Sequence, residues 1–202
     1  MYSVTKRISM IKQPRGGYIN KKNFTVIQLD DETVLNDCEN IHASLIGLGV
    51  DYMTRFMMGA EREEAFSISL KGAMTLDLFT GDKKQSSMKN AVKLLANIDG
   101  LDKKSITNAC KLVGYDVCFR AGIMGYRPIE EINPDAGTIE NIMTMINRSL
   151  SFWKEYGPIT KDGFTFEGGY TDTISTGDGD YLTKDTLWDF KVSKDEPKPK
   201  YT

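Results

Sequence analysis

The feature that most constrains this chain is a change of hydrophobic period at Gly157-Pro158. Upstream, apolar residues recur three and four apart, the period of one helix face; downstream they alternate in short runs, the period of a half-buried strand. Such a chain is expected to fold as an α/β protein in the α+β arrangement, a long helical half followed by a small sheet. Asn36 or Asp37 is expected to cap a first helix, whose stripe Ile41, Leu45, Leu48, Tyr52 and Phe56 runs towards Gly59. A second spans Glu61 to about Leu78 and breaks at Gly81-Asp82-Lys83-Lys84, and a third runs from about Ser87 to Ile98. Ile106, Ala109, Cys110, Val113 and Val117 trace a fourth, ended by Gly122 and the Tyr126-Arg127-Pro128 turn. A fifth starts at Pro134-Asp135 and carries Ile139, Ile142, Met143, Ile146, Leu150 and Trp153. Beyond it, Phe164 and Phe166 alternate, Gly168-Gly169 turns or bulges, and strands are expected over Tyr170 to Ser175, Asp180 to Thr183 and Thr186 to Val192. The reading is one domain of 202 residues with a basic arm (1–34), a helical region (35–157), a β core (158–193) and an extended tail (194–202).

Composition narrows the function classes. With 40% hydrophobic and 27% charged residues, the chain reads as a soluble globular protein able to bury a sizeable core. No apolar run approaches the roughly 20 residues that span a bilayer, and Met1-Tyr2-Ser3-Val4-Thr5-Lys6-Arg7 lacks a signal-peptide core. A cytoplasmic protein with no membrane partner is expected. Cys38, Cys110 and Cys118 are odd in number and lack CxxC spacing, so neither a disulfide framework nor a zinc knuckle is expected. The ten methionines read as fillers of irregular helical packing. There is no Walker-type phosphate loop, no G-x-S-x-G elbow and no internal repeat.

A net charge of -2 is not that of a protein coated with basic surface, yet its distribution is uneven. In the first thirty residues Lys6, Arg7, Lys12, Arg15, Lys21 and Lys22 face a single acid, Asp30, around Gln13-Pro14-Arg15-Gly16-Gly17-Tyr18. This arm reads as a nucleic-acid contact, cations for phosphates and an aromatic for a base, or as a plain solvated segment.

The chemistry concentrates in Gly177-Asp178-Gly179-Asp180 and the residues up to Ser193. Over Leu187 to Val192, alternation sends Leu187, Asp189 and Lys191 to one face and Trp188, Phe190 and Val192 to the other. An acid and an amine on one strand face, with Asp180 on the preceding segment, can hold a divalent cation and a water, which suits phosphodiester hydrolysis. An isolated Asp-x-Lys is more often a half-solvated edge pair.

Gly-Asp-Gly-Asp, the hairpin-like Thr183-Lys184-Asp185-Thr186 and Trp188-Asp189-Phe190-Lys191-Val192-Ser193 together resemble the catalytic hairpin of the PD-(D/E)XK nucleases. The likeness is to the RecB-type branch, which also includes Cas4-like exonucleases. It implies a small mixed sheet at the C-terminal end packed against the helical half, and metal-dependent hydrolysis of DNA. By the resemblance, Asp180 and Asp189 are the metal-binding carboxylates, and Lys191 orients or activates the attacking water and stabilises developing charge. Asp178 takes the place of a neighbouring acid. Mg²⁺ or Mn²⁺ is the expected cofactor, with the Phe190 carbonyl as a further ligand. RecB-type members also supply a histidine from an upstream helix. The only histidine here is His42, with Glu39 three residues earlier on the same helix face; an ordinary helical histidine is the competing reading. Some relatives carry a four-cysteine iron-sulfur cluster, and three unclustered cysteines lead us to expect none.

The family follows its Asp-x-Lys strand with a helix bearing Gln-x-x-x-Tyr. Here Lys194-Asp195-Glu196-Pro197-Lys198-Pro199-Lys200-Tyr201-Thr202 reads as an extended tail. The expectation is a sheet short of one cover, explained either by a shortened chain or by a protein partner or second copy that completes it. This leaves a second function open: a non-catalytic module on the nuclease scaffold that binds DNA or a protein, as a phage or mobile-element regulator or inhibitor.

Overall fold

A computed structural model of the chain describes residues 1–12, 14, 15, 21–23, 25 and 31–192. It contains helices α1 (Val4–Ser9), α2 (Ala43–Met57), α3 (Arg62–Ala65), α4 (Ser67–Thr80), α5 (Ser86–Leu95), α6 (Lys103–Val113), α7 (Asp116–Arg120) and α8 (Ala136–Tyr156). The strands are β1 (Tyr2–Ser3), β2 (Lys161–Thr165), β3 (Ile174–Thr176), β4 (Asp178–Leu182) and β5 (Leu187–Trp188). The fold is thus mixed, helices with small sheets. The chain forms two compact units, residues 31–151 and residues 1–30 with 152–202. Among the described residues, no helix is long and apolar enough to cross a membrane.

In the helical unit, Val50, Met53, Phe66, Ile98, Ile106, Leu112, Ile142 and Ile146 are fully buried. Local chemistry sets the helix ends. Asp102 accepts the Lys104 and Ser105 amides and starts α6. Gly81, at φ 67°, ends α4 in the left-handed conformation that a Cβ disfavours. Close packing sets the middle of α4: a Cβ on Gly72 would stand 2.1 Å from the Tyr115 carbonyl oxygen.

Three helical expectations need correction. The second expected helix is two, α3 and α4, parted at the buried Phe66. The fourth is also two, α6 and α7, parted at Gly114-Tyr115. The first begins only at Ala43, so Glu39 and His42 do not share a helix face. The cause is competition for the backbone of residues 36–40. The Asn36 amide donates to Asn141 Oδ1 at 2.7 Å, Asn141 Nδ2 returns a bond to the Asn36 carbonyl at 3.0 Å, and the Asn40 amide donates to Thr138 Oγ1 at 3.0 Å. Bonds to the start of α8 replace those a helix turn would have made.

In the other unit, β2, β4 and β5 form an antiparallel sheet in that order, and β1 pairs in parallel with β3. Among the described residues, the single small mixed sheet expected from sequence is therefore two separate sheets. The first residues of the expected arm form β1 and α1, so they are part of this unit's structure. The expected strand over Tyr170 to Ser175 reduces to Ile174–Thr176, because Thr171 and Ile174 close a turn through reciprocal backbone bonds. The expected hairpin is present: the Thr183 amide donates to the Thr186 carbonyl at 3.0 Å.

Aromatic packing anchors that hairpin. Trp188 meets Phe152, Trp153 and Tyr156 from the end of α8 at centroid distances of 5.2, 5.8 and 5.9 Å, and its indole donates to Thr183 Oγ1. Each such ring pair is worth about 0.5–1.5 kcal/mol beyond the area it buries. Both glycines of the motif are packing sites. A Cβ on Gly177 would meet Val4 Cγ2 at 2.8 Å, and one on Gly179 would meet the Phe164 ring at 2.6 Å.

Candidate functional site

The candidate site sits where β5 ends. Tyr181 pairs with Trp188 across the β4–β5 ladder, so one further step of that register sets Asp180 opposite Asp189. The ladder does not take that step. Asp180 Oδ2 accepts the Phe190 amide at 2.7 Å, and a side chain thereby takes the donor that strand pairing would use. Asp189, Phe190 and Lys191 consequently lie beyond the strand, a correction to the expectation that β5 carries them to Val192. Their alternation persists: Leu187, Asp189 and Lys191 are exposed, while Trp188 and Phe190 are half-buried, with the Phe190 ring edge-on to Tyr181 at 5.8 Å.

The Lys191 ammonium organises the site. Its Nζ lies 2.5 Å from Asp189 Oδ1, 3.4 Å from the Phe190 carbonyl oxygen and 3.7 Å from Asp180 Oδ2. Two like charges facing each other across a sheet repel, and a cation between them removes that cost. Burial alone would lower the Lys191 pKa, but the hydrogen bond and charge of Asp189, with the charge of Asp180 behind them, outweigh it and raise it. Lys191 is therefore a charged donor at neutral pH, suited to orienting a water or a phosphoryl oxygen and unsuited to removing a proton. The Lys191 and Asp189 side chains are 72% and 73% exposed, so the site is open to a large ligand.

The same three oxygens are those the resemblance assigns to a metal. Two carboxylates and a carbonyl are hard donors of the kind Mg²⁺ and Mn²⁺ take, and they converge on one cation already. By donor chemistry, Asp180, Asp189 and the Phe190 carbonyl would suit a divalent ion in place of the ammonium. Among the described residues, no three His, Cys, Asp or Glu side chains are grouped to hold a metal, so the side-chain share is two carboxylates.

His42 and Glu39 belong to the helical unit and have local roles there. His42 is the N-cap of α2, its Nδ1 2.7 Å from Ser44 Oγ and accepting the Ser44 amide at 3.2 Å. Glu39 Oε1 accepts a bond from Asn141 Nδ2 at 3.0 Å. Asp178 is exposed on β4 opposite Thr165. Of the expected nucleic-acid contacts, Lys6 and Arg7 lie in the last turn of α1, Lys12, Arg15 and Lys22 are exposed, and Lys21 opens a short 3-10 turn. Gln13, Gly16, Gly17 and Tyr18 of the arm's centre lie outside the described residues.

Sequence reasoning missed a buried carboxylate in the helical unit. Asp116 Oδ2 accepts the Tyr52 hydroxyl at 2.6 Å, its Oδ1 accepts the Ser69 hydroxyl at 2.5 Å, and Arg120 Nε approaches Oδ2 at 3.5 Å while donating to Tyr52 from its other nitrogen at 3.0 Å. Burial pushes the Asp116 pKa up against the lowering effect of those donors. The signal was present, an acid beside Val117 within an apolar stripe. Its acceptors are spent on α2, α4 and α7, so it ties helices together. Compared with known proteins, the chain matches no family model, no curated protein and no solved structure.

Proposed function

We propose that this chain is a metal-dependent nuclease-like protein of the PD-(D/E)XK type, in the RecB-type branch, hydrolysing DNA phosphodiester bonds. One observation carries the reading: Asp180, Asp189 and the Phe190 carbonyl converge on a single cation, and that cation is the lysine of the motif. Mg²⁺ or Mn²⁺ held by those oxygens would supply an acidified water and charge neutralisation at the phosphate. Asp180 and Asp189 would hold the cation. Lys191, freed from the carboxylates, donates to a non-bridging phosphate oxygen or to the attacking water. The exposure of Asp189 and Lys191 leaves room for a nucleic-acid strand. In a purified-protein assay with Mn²⁺ and labelled DNA, Asp189→Ala and Lys191→Ala should each abolish cleavage with the fold intact by circular dichroism. Cleavage retained in both would overturn the reading.

A second reading is favoured by the side-chain ligand count of two: a non-catalytic scaffold module that binds DNA or a protein. A gel shift that survives Asp180→Ala and Asp189→Ala, with no cleavage in Mn²⁺, would select it.

A further inference from the structure

Between Asp82 and Lys111 the chain carries seven lysines and three aspartates, a local excess of cations in a protein whose net charge is -2. This stretch builds the hairpin of α5 and α6, closed by Asn108 Nδ2 donating to the Asn97 carbonyl at 3.1 Å. Lys83, Lys84, Lys89, Lys93, Lys103 and Lys104 are all exposed. Lys89 and Lys93 stand four apart on α5, and Lys104 and Lys111 stand seven apart on α6, so each pair shares a helix face.

The three acids offset only part of that charge, which leaves an excess of cations on the hairpin. Asp82 accepts the Lys84 and Ser86 amides at the start of α5, and Asp102 accepts the Lys104 and Ser105 amides at the start of α6. Hydrogen bonds from Ser86 and Ser105, with the charges of Lys84 and Lys104 behind them, hold the two carboxyls below their usual range, and both carboxylates sit at helix starts. Asp99 pairs with Arg62 at 3.5 Å. Among the described residues, none of the seven lysine side chains enters an ion pair. The positive field of this hairpin is left for a partner.

We propose that the α5–α6 hairpin is a binding surface for the phosphodiester backbone of nucleic acid. Its lysines are interspersed with Gln85 and Asn90, amide donors suited to sugar and phosphate oxygens; an interfacial membrane helix would instead present a broad apolar face. The surface belongs wholly to the helical unit. It stands independently of the metal reading and tests without a metal.

The experiment is fluorescence anisotropy of the full chain with labelled duplex and single-stranded DNA in EDTA, over a series of salt concentrations. Replacing Lys84, Lys89, Lys93 and Lys104 together by Gln should weaken binding at least tenfold at low salt and flatten the log–log salt slope by about 3 to 4 for the duplex. The fourfold Lys→Arg variant should bind as the parent does. Unchanged affinity and slope in the Gln variant would overturn the proposal. So would a parent chain that ignores both DNAs, including one that binds only poly-glutamate or phosphatidylserine vesicles. Cleavage plays no part in the readout, so loss of the nuclease reading and loss of this one remain distinct.

Discussion

Asp116 in the helical unit and Asp189 in the sheet unit are the same residue type put to opposite uses. Asp116 is enclosed by Tyr52, Ser69 and Arg120; the first two bonds tie α7 to α2 and α4, and the third lies within α7. Asp189 lies open, paired with an equally open lysine, Lys191. An enclosed carboxylate has no acceptor left for a ligand, whereas an exposed one beside a second acid does. Placement separates structural charge from charge available for chemistry.

The largest test of that contrast is a pair of truncations. Asp116→Ala leaves a tyrosine, a serine and an arginine without their acceptor and should cost about 3 kcal/mol in urea unfolding. Asp189→Ala should leave the urea midpoint where it was. Equal midpoint shifts would erase the distinction. Steric tests follow. Gly72→Ala drives a methyl into the Tyr115 carbonyl, which cannot move without moving α7, and should cost about 2 to 3 kcal/mol. Gly179→Ala meets the edge of the Phe164 ring, which can tilt, and should cost about 1 kcal/mol.

Removing the ammonium from the open site sharpens the comparison from the other side. Lys191→Met should tighten Mn²⁺ binding by about tenfold in calorimetry, because the carboxylates lose the cation that occupies them. Unchanged or weaker binding would mean that Lys191 does not compete there. The smallest effect is electrostatic. The hydrogen bond from Arg148 lowers the Asp31 carboxyl to about 2 from its ordinary 3.8. That pairing supports the fold above 3.8 and is lost as pH falls through about 2. Asp116 runs the other way: its raised carboxyl favours the folded state at low pH and loses that contribution as pH rises from the unfolded value through the folded one. In an NMR titration, Arg148→Ala should return Asp31 to near 3.8 and leave Asp116 unmoved.

The two units were not equally legible. The Gly81 stop and the Thr183–Thr186 turn were readable because each depends on residues within a few positions of one another. Leu187, Asp189 and Lys191 fell on one side as their alternation required. The start of α2 was not readable: Asn36 and Asn40 are bonded to residues about a hundred positions away, and no local pattern announces that competition. The end of β5 was missed for a related reason, since the Asp180 carboxylate captures the Phe190 amide from another strand.

The sequence by itself determined the switch from helical to alternating period, the hairpin and the membership of Asp180, Asp189 and Lys191 in one motif, because backbone geometry makes these near-neighbour properties. Only tertiary structure decided which charges are spent and which remain available. It seated Val4 against Gly177, enclosed Asp116 and set Asp180 beside the Lys191 ammonium. Those outcomes rest on contacts between distant segments, and burial or exposure of a charge is fixed by what packs around it.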